Sequence, residues 1–186
     1  MFKQAAILTL AVFAVTACTG TKGGVVGSRS SDRLSPFYAP SLVSYEAQDG
    51  RFPLVVRGNP FGGVPQAQLE QTLHRDMRTP AWAPRAQFVR DDRAEAGDGL
   101  RLVVVFNPVT SIDFRAICGD VSGVGSTGPG NQTTIRMAFC DGPQTMSDVT
   151  YRFGSATDYQ SATFIGALNN SVARALPFVD VAGENL

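Results

Sequence analysis

The residues with types and spacing suited to chemistry are few, and most have a plainer structural use. Cys118 and Cys140 bracket Gly119–Asn131, a stretch with five glycines. Two cysteines around a glycine-rich loop read as a disulfide if the compartment is oxidising. Closing a loop of that length contributes about 3 kcal/mol on the chain-entropy account. There is no CxxC pair and His74 is the single histidine, so no metal site is expected. Gly123-Val124-Gly125-Ser126-Thr127-Gly128 spells GxGxxG. A dinucleotide needs that turn to follow a strand and open a helix, whereas here a strand pattern comes next. No nucleotide or other cofactor is expected.

His74 stands on a helical pattern, one turn from Glu70 and Arg78 and beside Arg75 and Asp76. No nucleophile elbow accompanies it, and the expectation is a solvated or partly paired imidazole rather than a general base. Asp91, Asp92, Glu95 and Asp98 form an acidic run interrupted by Arg93. That pattern fails the alternating ligands, central glycine and closing glutamate of a calcium loop, which leaves a solvated hairpin turn. Arg57-Gly58-Asn59-Pro60-Phe61-Gly62-Gly63 joins a strand to a helix, a junction where ligands often bind. Arg57 and Asn59 could hold an anionic or carbohydrate group with Phe61 as a contact surface. The alternative is a tight turn that needs Gly and Pro for backbone reasons. Arg57, Asn59 and Phe61 are thus the candidate partner-binding surface, and no catalytic residue is assigned.

The elements that must position these residues follow from hydrophobic period. Phe52–Arg57 reads as a strand, with Pro53 restricting it to a strand start or sheet edge. Leu69, Leu73 and Met77 make one apolar stripe on a helix that ends at Thr79-Pro80. Gln87–Arg90 is a short strand. Leu100–Phe106 is almost continuously apolar, as a strand covered on both faces is. Thr133–Cys140 and Val149–Phe153 alternate as half-buried strands. Asp158–Leu176 is a helix opened by Asp158 and stopped by Pro177, with Ala162, Ile165, Leu168, Val172 and Leu176 on one face. The expected fold class is α+β: a two-layer sandwich of about five strands, mixed or antiparallel, with two helices on one face.

Composition narrows the function classes. The 186 residues carry 16 Lys+Arg and 16 Asp+Glu, with 44% hydrophobic residues. A balanced charge disfavours nucleic-acid binding, since phosphate neutralisation needs a basic excess. The length suits one domain with an appendage.

The N-terminus supplies that appendage. Lys3 precedes Ala5–Val15, an apolar run too short to cross a bilayer but of the length of a signal-peptide core. Val15-Thr16-Ala17-Cys18 follows, and it resembles the lipobox of bacterial lipoproteins. The resemblance implies cleavage before Cys18 and acylation of that cysteine, with two or more chains holding the protein persistently on the bilayer. In that family's sorting pathway Asp after the cysteine favours the inner membrane, so Thr19 implies the outer membrane. The expected organisation is a signal peptide over 1–17, lipidated Cys18 with a flexible tether over 18–40, and one periplasmic domain over 41–186. Thr19–Ser35 is rich in Gly, Ser and Thr. Such a coil spans roughly 20–25 Å, which would either let the domain seek a partner or merely clear the headgroups. The stretches Val55–Gly63 (VVRGNPFGG), Val103–Pro108 (VVVFNP) and Ala138–Cys140 (AFC), with the lipobox, resemble a family of small alphaproteobacterial membrane lipoproteins. That family has no established activity, so the resemblance implies location and a single domain and transfers no catalytic residue. The expected function is a non-enzymatic envelope lipoprotein that binds an envelope protein or cell-wall component. The alternative is a lipid-anchored hydrolase of cell-wall material.

Overall fold

The computed structural model describes residues 28–109, 113, 116–119, 125–154 and 157–179. The signal peptide, Cys18, and the Gly123 and Val124 positions of the GxGxxG spelling lie outside these. Ten elements follow in order: β1 (Ser28–Leu34), α1 (Pro40–Ala47), β2 (Arg51–Arg57), α2 (Gln66–Asp76), β3 (Gln87–Val89), α3 (Asp92–Glu95), β4 (Leu100–Phe106), β5 (Gln132–Asp141), β6 (Gln144–Gly154) and α4 (Ala162–Ala175). Six strands form one open sheet in the order β1-β6-β5-β4-β2-β3. β2 runs parallel to both β3 and β4, and the remaining pairs are antiparallel. The architecture is α+β with a mixed sheet.

Two features extend the expected plan. The polar segment Ser28–Leu34, assigned to the tether by composition, is the strand β1, paired to β6 from Ser28↔Arg152 to Leu34↔Ser147. An outer strand needs ladder partners more than apolar side chains, so polar composition does not exclude it. Pro40–Ala47, for which the sequence pattern gives no element, is the helix α1 with Pro at its first turn.

Helices lie on both faces rather than one. On the first face, α1, α2 and α4 bury Val43, Leu69, Leu73, Leu168 and Val172 against Leu54, Val104, Met137 and Val149. On the second, the one-turn α3 and the Ile117–Cys118 segment cover Val55, Val103, Val105, Ala138 and Cys140. This explains the sequence of β4: Leu102, Val104 and Phe106 enter one core and Val103 and Val105 the other. Pro53 is accommodated inside an interior strand because β2 changes partners there. Arg51–Pro53 pair with β3 and Leu54–Arg57 with β4.

The disulfide Cys118–Cys140 is present, with a Cα–Cα separation of 5.5 Å and both residues fully buried. It fixes the chain between β4 and β5 to the far end of β5. Arg101, fully buried and paired in register with Cys140, donates to the carbonyls of Cys118 (2.6 Å) and Gly99 (3.1 Å). Burial lowers its pKa. Asp91, expected in a hairpin turn, instead caps α3: its Oδ1 accepts from Arg93 N (2.9 Å) and Ala94 N (3.1 Å). Asp158, expected to cap α4, stands three residues before the cap, accepting from Gln160 N, and Ser161 is the cap.

Candidate functional site

The turn Arg57–Gly63 brings its three candidate residues together, but the fold already uses them. Arg57 donates to Glu95 Oε2 at 2.5 Å, tying β2 to α3. Asn59 bridges the turn, with Nδ2 donating to Val64 O (2.7 Å) and Oδ1 accepting from Phe61 N (2.9 Å). Phe61 is buried, its ring 4.9 Å from Phe164 and 6.0 Å from Tyr159. As a core residue it cannot be the contact surface. Gly58 has φ +76°, and a Cβ there would stand 2.6 Å from Phe106 O and 2.7 Å from Ser126 Cβ. Only glycine allows that approach. Asn107, at φ 44°, anchors the same end: its amide donates to Gly128 O (2.6 Å) and its Oδ1 accepts from Thr134 N (2.7 Å). The stretches RGNPFGG and FNP therefore converge on one structural junction.

The unengaged chemistry lies elsewhere, in a furrow between α2 and the edge strand β3. The α2 stripe points Leu69 and Leu73 into the core, which leaves Ala67, Gln71 and Arg75 on the exposed side. One part of the furrow, about 470 Å³, is lined by Glu70, Gln71, His74, Arg75, Gln87 and Arg90. The other, about 510 Å³, is lined by Gly50, Arg75, Arg78, Arg85, Ala86 and Gln87. The two lie side by side along α2 and share Arg75 and Gln87 in their linings.

Two of its cations have local work. Arg75 pairs with Asp76 at 2.7 Å and holds that carboxyl below its usual range. Arg78 donates to the carbonyls of Arg75 and Met77 (2.8 Å to the latter), satisfying free carbonyls at the end of α2. Arg85 and Arg90 are exposed and make no ion pair or hydrogen bond among the described residues. His74 is half-buried, and desolvation lowers its pKa despite Glu70 nearby. Glu70 accepts from Gln66 at 2.9 Å.

The loop after α2 is built as a rigid rim. Thr79 Oγ1 donates to Pro84 O and accepts from Ala86 N, closing the loop on itself. Trp82 Nε1 donates to Leu176 O, and its ring lies 5.4 Å from Phe178. Asn169 of α4 bonds both Asp76 O and Arg78 N. Sequence reading passed over these arginines because the net charge is zero. The signal was local: residues 75–90 hold four Arg and one Asp, and residues 91–98 hold four acids and one Arg.

Among the described residues, no group of three His, Cys, Asp or Glu side chains could hold a metal, and no helix is long and apolar enough to cross a membrane. Comparisons with family models, curated proteins and solved structures find no match.

Proposed function

We propose that this chain is a lipid-anchored protein of the bacterial envelope, held through Cys18 and facing the periplasm. Its domain acts as a non-enzymatic binding module for another envelope component. The observation that carries this reading is the distribution of unengaged surface relative to the point where the chain joins the sheet. Ser28 lies at the end of the sheet where Gln132 pairs with Gly154. Leu34 lies at the other end, about 20 Å along the strand at roughly 3.3 Å per residue. That second end carries Phe37, Tyr45 and Phe178, which are 67%, 64% and 73% exposed, together with the arginine-lined mouth of the furrow. An anchor at Cys18 leads into the first end, and the unengaged groups gather at the second. Large exposed aromatics gathered at one end are unusual on a surface with no partner.

The test has two parts. Cys18→Ser should release the protein from the membrane fraction, and the wild-type N-terminal peptide should carry the mass of acyl chains. A membrane-bound, unmodified Cys18→Ser form would refute the anchor. In-cell crosslinking followed by affinity purification of both forms then asks for a partner. One partner enriched with both forms supports recognition by the domain, and enrichment with neither refutes the binding reading.

A further inference from the structure

We propose that the furrow between α2 and β3 is a docking groove for an extended acidic peptide segment of a partner protein. This rests on the reading of the domain as a binding module and gives that module its ligand chemistry.

Charge sets the sign of the ligand. Arg78 and Arg85 flank one mouth of the furrow, Arg90 stands at the other, and Arg75 lies between. Arg85 and Arg90 have no carboxylate partner among the described residues, Glu70 in the lining accepts from Gln66, and Asp76 is paired to Arg75. Planar guanidinium groups favour carboxylates through paired hydrogen bonds.

Shape and lining then favour a polypeptide over other anions. The furrow follows α2, whose 11 residues measure about 16 Å at roughly 1.5 Å per residue. About five residues of extended chain cover that length at roughly 3.3 Å each. Exposed Gln71 and Gln87 line the middle of the furrow. A primary amide donates and accepts at once, which matches a peptide group better than a phosphate oxygen. Trp82, between Arg78 and Arg85 in the rim loop, pairs its ring with that of the exposed Phe178, a surface able to receive an apolar side chain next to the acidic stretch. The rim is held by Thr79 and Trp82, so little ordering accompanies binding.

The experiment uses the mature lipidated chain in detergent and a fluorescein-labelled peptide of alternating Glu and Val, read by polarisation. Parallel arms carry a Lys–Val peptide, inorganic polyphosphate and phosphatidylglycerol vesicles. The expected result is saturable binding of the Glu–Val peptide that weakens with salt, with no binding of the Lys–Val peptide. Arg85→Glu with Arg90→Glu should weaken it about tenfold, the range for two reversed exposed pairs, with the thermal midpoint unchanged because neither side chain supports the fold. Gln71→Ala with Gln87→Ala should weaken the peptide and leave any polyphosphate binding as it was. No peptide binding, binding indifferent to the Arg85 and Arg90 reversals, or tighter arginine-dependent binding to polyphosphate or vesicles would each overturn the proposal. Peptide binding without any partner in cells would leave the groove standing and remove the envelope-partner reading. A cellular partner without peptide binding would do the reverse.

Discussion

Replacing the disulfide by Cys118→Ala with Cys140→Ala should cost this domain about 3 kcal/mol, and the structure says where the loss begins. The cross-link spans 22 residues, and the chain-entropy relation assigns a loop of that size about 3 kcal/mol at 25 °C. The native contribution should be close to that value, because the bridge joins two buried positions. One is on the segment covering the second face and the other at the end of β5. Without the bridge, Ile117 and the bond from Arg101 to Cys118 O are the described contacts holding the cover over Val103, Val105 and Ala138. Urea unfolding followed by tryptophan fluorescence reads the global effect. With m-values of about 1–3 kcal/mol/M for small domains, the midpoint should fall by about 1–3 M. Hydrogen exchange reads the local effect: the Ile117–Gly119 amides should exchange below the global unfolding free energy in the variant and near it in the oxidised protein. A loss under about 1 kcal/mol with unchanged protection would refute the reasoning. It would mean that Ile117 and Arg101 hold the cover unaided.

Phe164→Ala should cost about 3–5 kcal/mol, the range for a fully buried aromatic, because its ring meets Phe61, Phe106 and Phe153 together; chemical denaturation measures it. Asn59→Ala removes two hydrogen bonds from the β2–α2 turn and should cost about 1–2 kcal/mol, visible as a lower thermal midpoint. His74 has a lowered folded pKa, from a usual value of 6.5, so the unfolded chain binds the proton first. Its contribution is complete above about pH 6.5 and declines as pH falls below that value. The fall in urea midpoint on going from neutral to mildly acid pH should be smaller in His74→Gln than in the wild type.

Elements carried by period and turn chemistry were legible before any coordinates. The stripe Leu69, Leu73, Met77 and the doubly apolar run of β4 are buried as expected, whereas β5, read as half-buried, is covered on both faces, with Arg136 and Ala138 buried as well as Ile135, Met137 and Phe139. The pairing of Cys118 with Cys140 was legible from parity and spacing. β1 was not, because an edge strand is held by ladder hydrogen bonds that leave little mark in a polar sequence. The α4 cap was placed at Asp158 instead of Ser161, since several nearby oxygens compete for the same free amides, and the capping of α3 by Asp91 was not anticipated.

The candidate site divides along the same line. Sequence alone determined that RGNPFGG is special, since a glycine–asparagine–proline turn between a strand and a helix restricts the backbone whatever surrounds it. Only the tertiary structure decided that this restriction serves packing. Whether Phe61 faces solvent or Phe164 depends on α4, about a hundred residues away in the chain. Conversely, Arg75, Arg78, Arg85 and Arg90 are unremarkable in a chain of zero net charge. They become one cationic furrow because β3 returns alongside α2, and electrostatic potential depends on distances in space, which charge counts do not contain.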